Sequence, residues 1–388
     1  MSDRQARRDL NLLAAGLALS TAGDAAALVA LLLRLQPHGS TWVAGLLAAE
    51  LIPYIVLAPL TGRVVDRFET RRVLLIALAG QAVLCVPLAL AEPLWATLAL
   101  FAGIMALSAF VRPATSALVP AITGKEEAQR GYSRLATGTG LGWIFGPAAG
   151  GLLTGAFGPT TAILADAATF ALLTLACSAV RARRHPAPAD PDGPTARGGL
   201  RLLFGDRLLR TALIGSAIAI SSGVIDNVAA PFRFVDQLHA GDSGYGLYLT
   251  LWGLGALVGA QLVPRIRLSS AVLLAVGNLL CGLGIAAIGL APTLVLAFVA
   301  STAGGIGNGF MNVTQSALIS ERTPAAQHGQ AFAASGAVIQ TAMGAGTAVA
   351  APLVAALHAN GAMLTAGLVT AASSLVALLI TLRNGHNR

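Results

Sequence analysis

The sequence predicts an all-α polytopic membrane protein of about twelve transmembrane helices, set out as two six-helix bundles related by parallel pseudo-twofold symmetry. Three observations predict it. Of the 388 residues, 55% are hydrophobic and only 11% charged, with a mean hydropathy of +0.74, whereas soluble domains carry roughly 25% charged residues. Apolar runs of about 20 residues, the length that crosses a bilayer, follow one another with short polar breaks. The second half of the chain also repeats the first at a fixed offset.

The expected spans are 10–35, 41–61, 73–91, 94–120, 129–156, 160–180, 208–235, 243–263, 271–290, 293–319, 329–357 and 361–382. Arg7 and Arg8 precede the first run in the manner of a secretory leader, but that run continues to Leu33 and eleven more follow. It is therefore read as a retained first span. The one long polar stretch, 181–207, is rich in Pro, Gly, Asp and Arg and reads as a flexible linker. It parts an amino-terminal bundle, 1–180, from a carboxy-terminal bundle, 208–388.

Orientation follows from the basic residues. With the amino terminus in the cytoplasm, all of the 25 lysines and arginines except Arg34, Arg112 and Arg233 fall on the cytoplasmic side. Both termini and the linker are then expected on the cytoplasmic side of a cell membrane that the chain crosses many times. The same asymmetry accounts for the net charge of +8: a basic face against anionic lipid needs no nucleic-acid partner.

A shift of 200 residues lays SAFVRPATSALVP (108–120) on NGFMNVTQSALIS (308–320), with Phe110, Ser116, Ala117 and Leu118 recurring at Phe310, Ser316, Ala317 and Leu318. Gly146 falls on Gly346 and Ala148 on Ala348 in the same register. Both copies run inward, so the repeat is parallel. Two such bundles suggest rocking about a central site.

Ionisable groups in the spans carry the functional signal, because burying them in lipid costs several kcal/mol and they usually face a cavity. Asp24, Glu50, Arg112, Asp166 and Asp226 qualify. Ser20 shares a face with Asp24, and Tyr54 shares one with Glu50. The fourth span carries Ser108, Arg112 and Thr115 at helical spacing, and the tenth carries Asn308, Asn312 and Gln315 at the same spacing. Ser222, Asp226 and Arg233 share a face of the seventh. Asp166 reads as nearer the outer surface. Hydrogen bonding between helices is the plainer explanation for each of these groups.

In the fifth span Gly138, Gly142, Gly146 and Gly150 recur every four residues, which lets a neighbouring backbone approach. Pro147 lacks a backbone donor and can kink the helix. The three cysteines and six histidines show no metal or redox spacing, and there is no phosphate loop or nucleophile elbow. No enzyme activity, metal or cofactor is expected.

Longer segments resemble a known family. GRVVDRFETRR (62–72) is similar to the loop signature between the second and third helices of the major facilitator superfamily. GWIFGPAAGG (142–151), with Gly142, Gly146, Pro147, Gly150 and Gly151, resembles the antiporter signature of its drug exporters. GDAAALVALLL (23–33) and ILADAATFALL (163–173) resemble the macrolide-efflux and enterobactin-exporter branch.

The resemblance implies that the first, fourth, seventh and tenth helices line a cavity, and the polar stripes above fall on them. It implies an inner gate of Gly62, Asp66, Arg67, Arg71 and Arg72, with Gly62 easing the exit from the second helix and Asp66 pairing with an arginine or a helix amino terminus. Glu69 stands where the family often has Gly or Asp. The second half's loop, VPRIRLSS (263–270), lacks the aspartate, so any lock is asymmetric. A bend at Gly146–Pro147 that discourages proton leak is implied likewise.

The expectation is a monomeric secondary active transporter that exports a small amphipathic molecule, such as a drug, an antibiotic or a siderophore-like compound, by proton antiport. An importer of a small metabolite, and a non-transporting receptor or lipid-handling protein, stand beside it. Large soluble domains would favour a receptor, and few buried charges would favour lipid handling.

Overall fold

The computed structural model describes residues 3–124, 127–180, 196–324 and 327–386. Its elements are α1 (Asp3–Leu35), α2 (Ser40–Arg67), α3 (Thr70–Leu90), α4 (Leu94–Thr123), α5 (Ala128–Phe157), α6 (Pro159–Ala179), α7 (Ala196–Gly205), α8 (Arg207–Pro231), α9 (Gly241–Leu262), α10 (Ser270–Leu290), α11 (Leu294–Arg322) and α12 (His328–His386). No strand occurs among the described residues. Helix is the form that satisfies every backbone N–H and C=O within one segment, which hydrocarbon demands.

Ten of the described helices are long and apolar enough to cross a membrane. The chain is a multi-pass membrane protein. α5 falls outside the ten because glycine, threonine and proline dilute its apolar residues. α12 has 59 residues and breaks at His358, where φ is 58° and ψ 173°. At about 1.5 Å per residue it is long enough for two passes. Its limbs occupy the eleventh and twelfth expected spans. The break stands 200 residues after Gly158, whose φ of 82° and ψ of 164° part α5 from α6. The same turn is made in both halves, once by a glycine and once by a histidine.

Two expectations are corrected. α2 runs straight through Gly62 and ends at Arg67, so Gly62 is not the exit from the second helix. Its last turn is polar and amphipathic, which hydropathy alone cuts short. The stretch 181–207 is not wholly flexible: α7 forms within it. Leu203 of α7 is fully buried in a cluster with Leu209, Leu318 and Ala334, and that burial overrides the weak helix propensity of Gly198 and Gly199. Residues 181–195 lie outside the described residues.

The chain divides into two compact units, Met1–Pro191 and Asp192–Arg388. In the first, α1 packs on α5 and α6, α3 on α4 and α6, and α2 on α4. In the second, α8 and α10 pack on α12, α9 and α10 on α11, and α7 on α12. The glycine face of α5 meets an alanine face of α1. A Cβ on Gly138, Gly142, Gly146 or Gly150 would stand 2.9, 2.7, 2.6 or 2.6 Å from the carbonyl oxygens of Ala14, Ala18, Ala22 and Ala26 in turn. α5 continues as helix through Pro147.

A matched pair of arginines closes a helix end in each unit. Arg34 donates to the Leu88 carbonyl at 3.1 Å and to the Ala91 carbonyl at the end of α3. Arg233, in a π-helical turn (Phe232–Gln237), donates to the Ile288 carbonyl at 3.2 Å and to the Ala291 carbonyl at the end of α10. The acceptors are 200 residues apart. The last carbonyls of a helix have no partner within it, and in a membrane a guanidinium supplies one.

Candidate functional site

In the first unit five polar side chains from four helices converge on one cavity of about 80 Å³. α1 brings Asp24, α2 brings Glu50 and, one turn later, Tyr54, α4 brings Ser108, and α6 brings Asp166. Leu28, Phe101 and Ile104 supply apolar wall, and Trp143 of α5 stands half-exposed at the edge. The space is large enough for a few waters. The Tyr54 hydroxyl donates to the Ser108 hydroxyl at 2.8 Å, tying α2 to α4.

Asp166 is only 3% exposed. It accepts from Thr169 at 3.0 Å and faces the Cys85 thiol at 3.9 Å. A Cβ on Gly23 would collide with the Asp166 carboxylate and the Thr169 hydroxyl, so glycine there is what admits Asp166 beside Asp24. Three carboxyls thus share one small space whose described lining carries no cation. Like charges so placed repel strongly in a low-dielectric interior.

The sequence grouped these residues only in part. Asp166 belongs with Asp24 and Glu50, although its distance along α6 reads as nearer the surface. Arg112 and Thr115 share a stripe with Ser108 but not its cavity: Arg112 is exposed, and Thr115 is buried with no hydrogen-bond partner for its hydroxyl among the described residues. A helix face is wider than a small cavity, so periodicity alone groups too many residues.

A second polar cavity, of about 240 Å³, lies within the second unit. Asp226 and Asn227 of α8, Tyr248 and Trp252 of α9, and Asn308 of α11 line it. Tyr248 donates its phenol to one oxygen of Asp226, and the other oxygen has no partner among the described residues. The Tyr248 ring is held by stacking on Phe234, centroids 4.4 Å apart, and its carbonyl accepts from Ser301 at 3.0 Å.

Of the expected stripe on this helix, Asn308 lines the cavity, and exposed Asn312 donates to it at 3.0 Å. Gln315 turns to Ser335 of α12, donating at 3.2 Å. Ser222 donates to the Ala366 carbonyl at 2.9 Å and Arg233 closes α10, so neither joins Asp226. Tyr248 and Trp252 were not singled out in the sequence. Aromatic residues are common in spans, and only the fold brings these two to Asp226.

Of the residues expected at an inner gate, Arg71 donates to the Cys177 carbonyl at 3.2 Å and to the Ser178 carbonyl, closing α6. Arg72 pairs with Glu69 at 2.8 Å and is largely exposed. Arg67 is exposed at the end of α2. Gly62 and Asp66 lie in the last turns of α2, and the Asp66 side chain is outside the described part of the structure. Gly142, Gly146, Pro147, Gly150 and Gly151 are buried in α5. Among the described residues no group of three or more His, Cys, Asp or Glu could hold a metal ion.

Comparison with known proteins adds the following. The profile of the Major Facilitator Superfamily matches residues 12–226 and 212–388. The multidrug efflux pump Tap of Mycobacterium tuberculosis (strain H37Rv) is 28% identical over 386 residues, spanning 93% of this chain and 90% of that protein. The uncharacterized MFS-type transporter YfiS of Bacillus subtilis is 25% identical over 287 residues, 71% of this chain and 69% of that protein.

Among solved structures, a POT family transporter bound to a thioalcohol-conjugated peptide aligns with a TM-score of 0.76 at 14% identity, covering 97% of this chain and 96% of that one. A bacterial homologue of the human lysosomal transporter Spinster, inward-facing and unoccupied, aligns at 0.75 and 13%, covering 98% and 96%. These likenesses show a common fold.

Proposed function

Because the chain belongs to the Major Facilitator Superfamily, a transporter family, we propose that it is a proton-coupled exporter of small amphipathic molecules, drugs or antibiotics among them. The observation that carries this reading is the cluster of Asp24, Glu50 and Asp166 on one cavity. A carboxyl in a cavity opened to water first on one side and then on the other can take up a proton in one state and release it in the other. Export is the direction that the likeness to an efflux pump supports.

In this reading Glu50 carries the proton, Asp24 meets the substrate, and Tyr54–Ser108 holds α2 against α4 while the site is occupied. Asp226 with Tyr248, Asn308 and Asn312 forms a second polar site. Asp66, Arg67, Arg71 and Arg72 work at the inner end. The protein sits as a monomer in the cell membrane with both termini in the cytoplasm. Inside-out vesicles energised with a proton gradient test it: uptake of a compound from a panel, abolished by an uncoupler, is expected. Uptake that persists without a gradient rejects proton coupling.

A further inference from the structure

A third cavity belongs to neither polar site. It is a groove of about 790 Å³ in the second unit, between α8, the two limbs of α12 and the short α7. That volume falls within the range of small-molecule sites, about 300–1,000 Å³. Its walls are aliphatic: Ile214 of α8, Val349 of the first limb and Val369 of the second each line it and are about half exposed, at 49%, 50% and 52%. The groove therefore opens outward over much of its length.

The lining contains four side chains with a polar atom, and all four donate their hydrogen within the chain. Ser221 donates to the Ala342 carbonyl at 2.8 Å and Ser222 to the Ala366 carbonyl at 2.9 Å. Thr341 donates to the Ala337 carbonyl at 2.9 Å and Thr365 to the Gly361 carbonyl at 2.8 Å. An occupant is offered no free side-chain donor. The accepting groups of a polar drug would lose their hydrogen bonds to water there without a side-chain replacement, whereas a hydrocarbon chain has none to lose.

One end of the groove is basic. Arg210 stands on the stripe of α8 that lines the groove, three and four residues before Leu213 and Ile214. It also reaches the carbonyl of Phe204 at 3.5 Å, and the Phe204 side chain is itself part of the lining. On α7, Arg201 follows the lining residue Leu200 and precedes Phe204 by one turn. Both arginines are exposed. Asp206, the acid between them in sequence, is already taken by Arg322 at 2.8 Å and by the backbone N–H groups of Leu208 and Leu209. This end therefore keeps an excess of positive charge beside a hydrocarbon slot.

We propose that the groove holds an acyl chain of an anionic phospholipid whose phosphate is bound by Arg201 and Arg210. The amphipathic α7 then has a defined task. Leu203 anchors it in the core, Leu200 and Phe204 close the groove over the chain, and Arg201 faces the headgroup. Guanidinium groups suit phosphate because they offer paired, planar donors.

The test uses the full-length protein in vesicles of phosphatidylglycerol and phosphatidylcholine with identical chains, and counts retained lipid by native mass spectrometry. The wild type is expected to retain phosphatidylglycerol preferentially. Arg201→Gln and Arg210→Gln should each weaken that preference about five-fold, and Arg130→Gln, at an exposed arginine of the first unit, should leave it unchanged. Ala345→Phe, which fills the groove, should lower retention of both lipids. Equal retention of the two lipids by the wild type overturns the proposal, as does a preference that survives loss of both arginines. If Ala345→Phe fails to fold, the arginine variants, whose side chains are exposed, still decide.

Discussion

Tyr248 donates its phenol to one oxygen of Asp226 and leaves the other oxygen without a partner among the described residues. The bond joins α9 to α8 across a polar cavity in an apolar unit. Tyr248→Phe removes the donor and leaves a buried carboxyl with neither oxygen satisfied, which should cost about 1–3 kcal/mol. Asp226→Asn keeps an acceptor for the phenol and should cost less. Thermal unfolding of the two single variants and the double variant checks this: the phenol matters less once Asp226 is changed, so the double variant should be more stable than the sum of the singles predicts.

Glu50→Gln should abolish uptake driven by a pH gradient in inside-out vesicles while leaving substrate binding and counterflow exchange in place. Asp24→Asn should weaken binding itself. Uphill transport by Glu50→Gln would move the proton to Asp166, which shares the cavity, and Asp166→Asn is then the variant to assay.

Gly146→Ala and Gly140→Ala make the same chemical change in one helix with opposite expectations. A Cβ on Gly146 meets the Ala22 carbonyl oxygen at 2.6 Å, and one on Gly140 meets nothing within 4 Å. Gly146→Ala should destabilise by about 1–3 kcal/mol through overpacking. Gly140→Ala should stabilise by up to about 1 kcal/mol through helix propensity. Melting temperatures in detergent give the comparison, and equal shifts would refute the close seam between α1 and α5.

His358 holds a backbone conformation, φ 58° and ψ 173°, that suits glycine. His358→Gly should therefore raise the unfolding temperature, by an amount corresponding to about 1 kcal/mol or more. At the equivalent turn of the first unit, Gly158→Ala should lower it. A drop in stability for His358→Gly would mean that the exposed imidazole contributes more than the strain costs.

Single cysteines at Gly39, Ser243 and Asn360 should react with an impermeant maleimide from outside intact cells, and one at Gly205 only after permeabilisation. Labelling of Gly205→Cys from outside would invert the orientation drawn from the arginines.

The helices were legible in the sequence because hydrocarbon imposes one requirement on every span, and hydropathy measures it directly. The repeat was legible through Ser116–Leu118 and Ser316–Leu318, whereas the equivalence of Arg34 and Arg233 was not. They are 199 residues apart, one short of the register, and only their shared targets at the ends of α3 and α10 reveal it. Asp24 and Glu50 stood out in the sequence because charge in lipid has few explanations, and they line one cavity. Asp166 was not grouped with them, since its place depends on the gap left by Gly23 on a different helix. α7 was hidden by its glycines: its helix is decided by the burial of Leu203 against residues more than a hundred positions away.

The four glycines of α5 also limit how this protein can vary. Every glycine codon begins with two guanines, so a single-base change there is silent, ends translation or adds a side chain. At Gly138, Gly142, Gly146 and Gly150 any added side chain strikes a carbonyl of α1. In the function proposed above, heritable shifts in what the protein carries arise from codons away from that seam, such as those for Leu28, Phe101 or Trp143 around the carboxyl cavity, where one apolar shape can replace another.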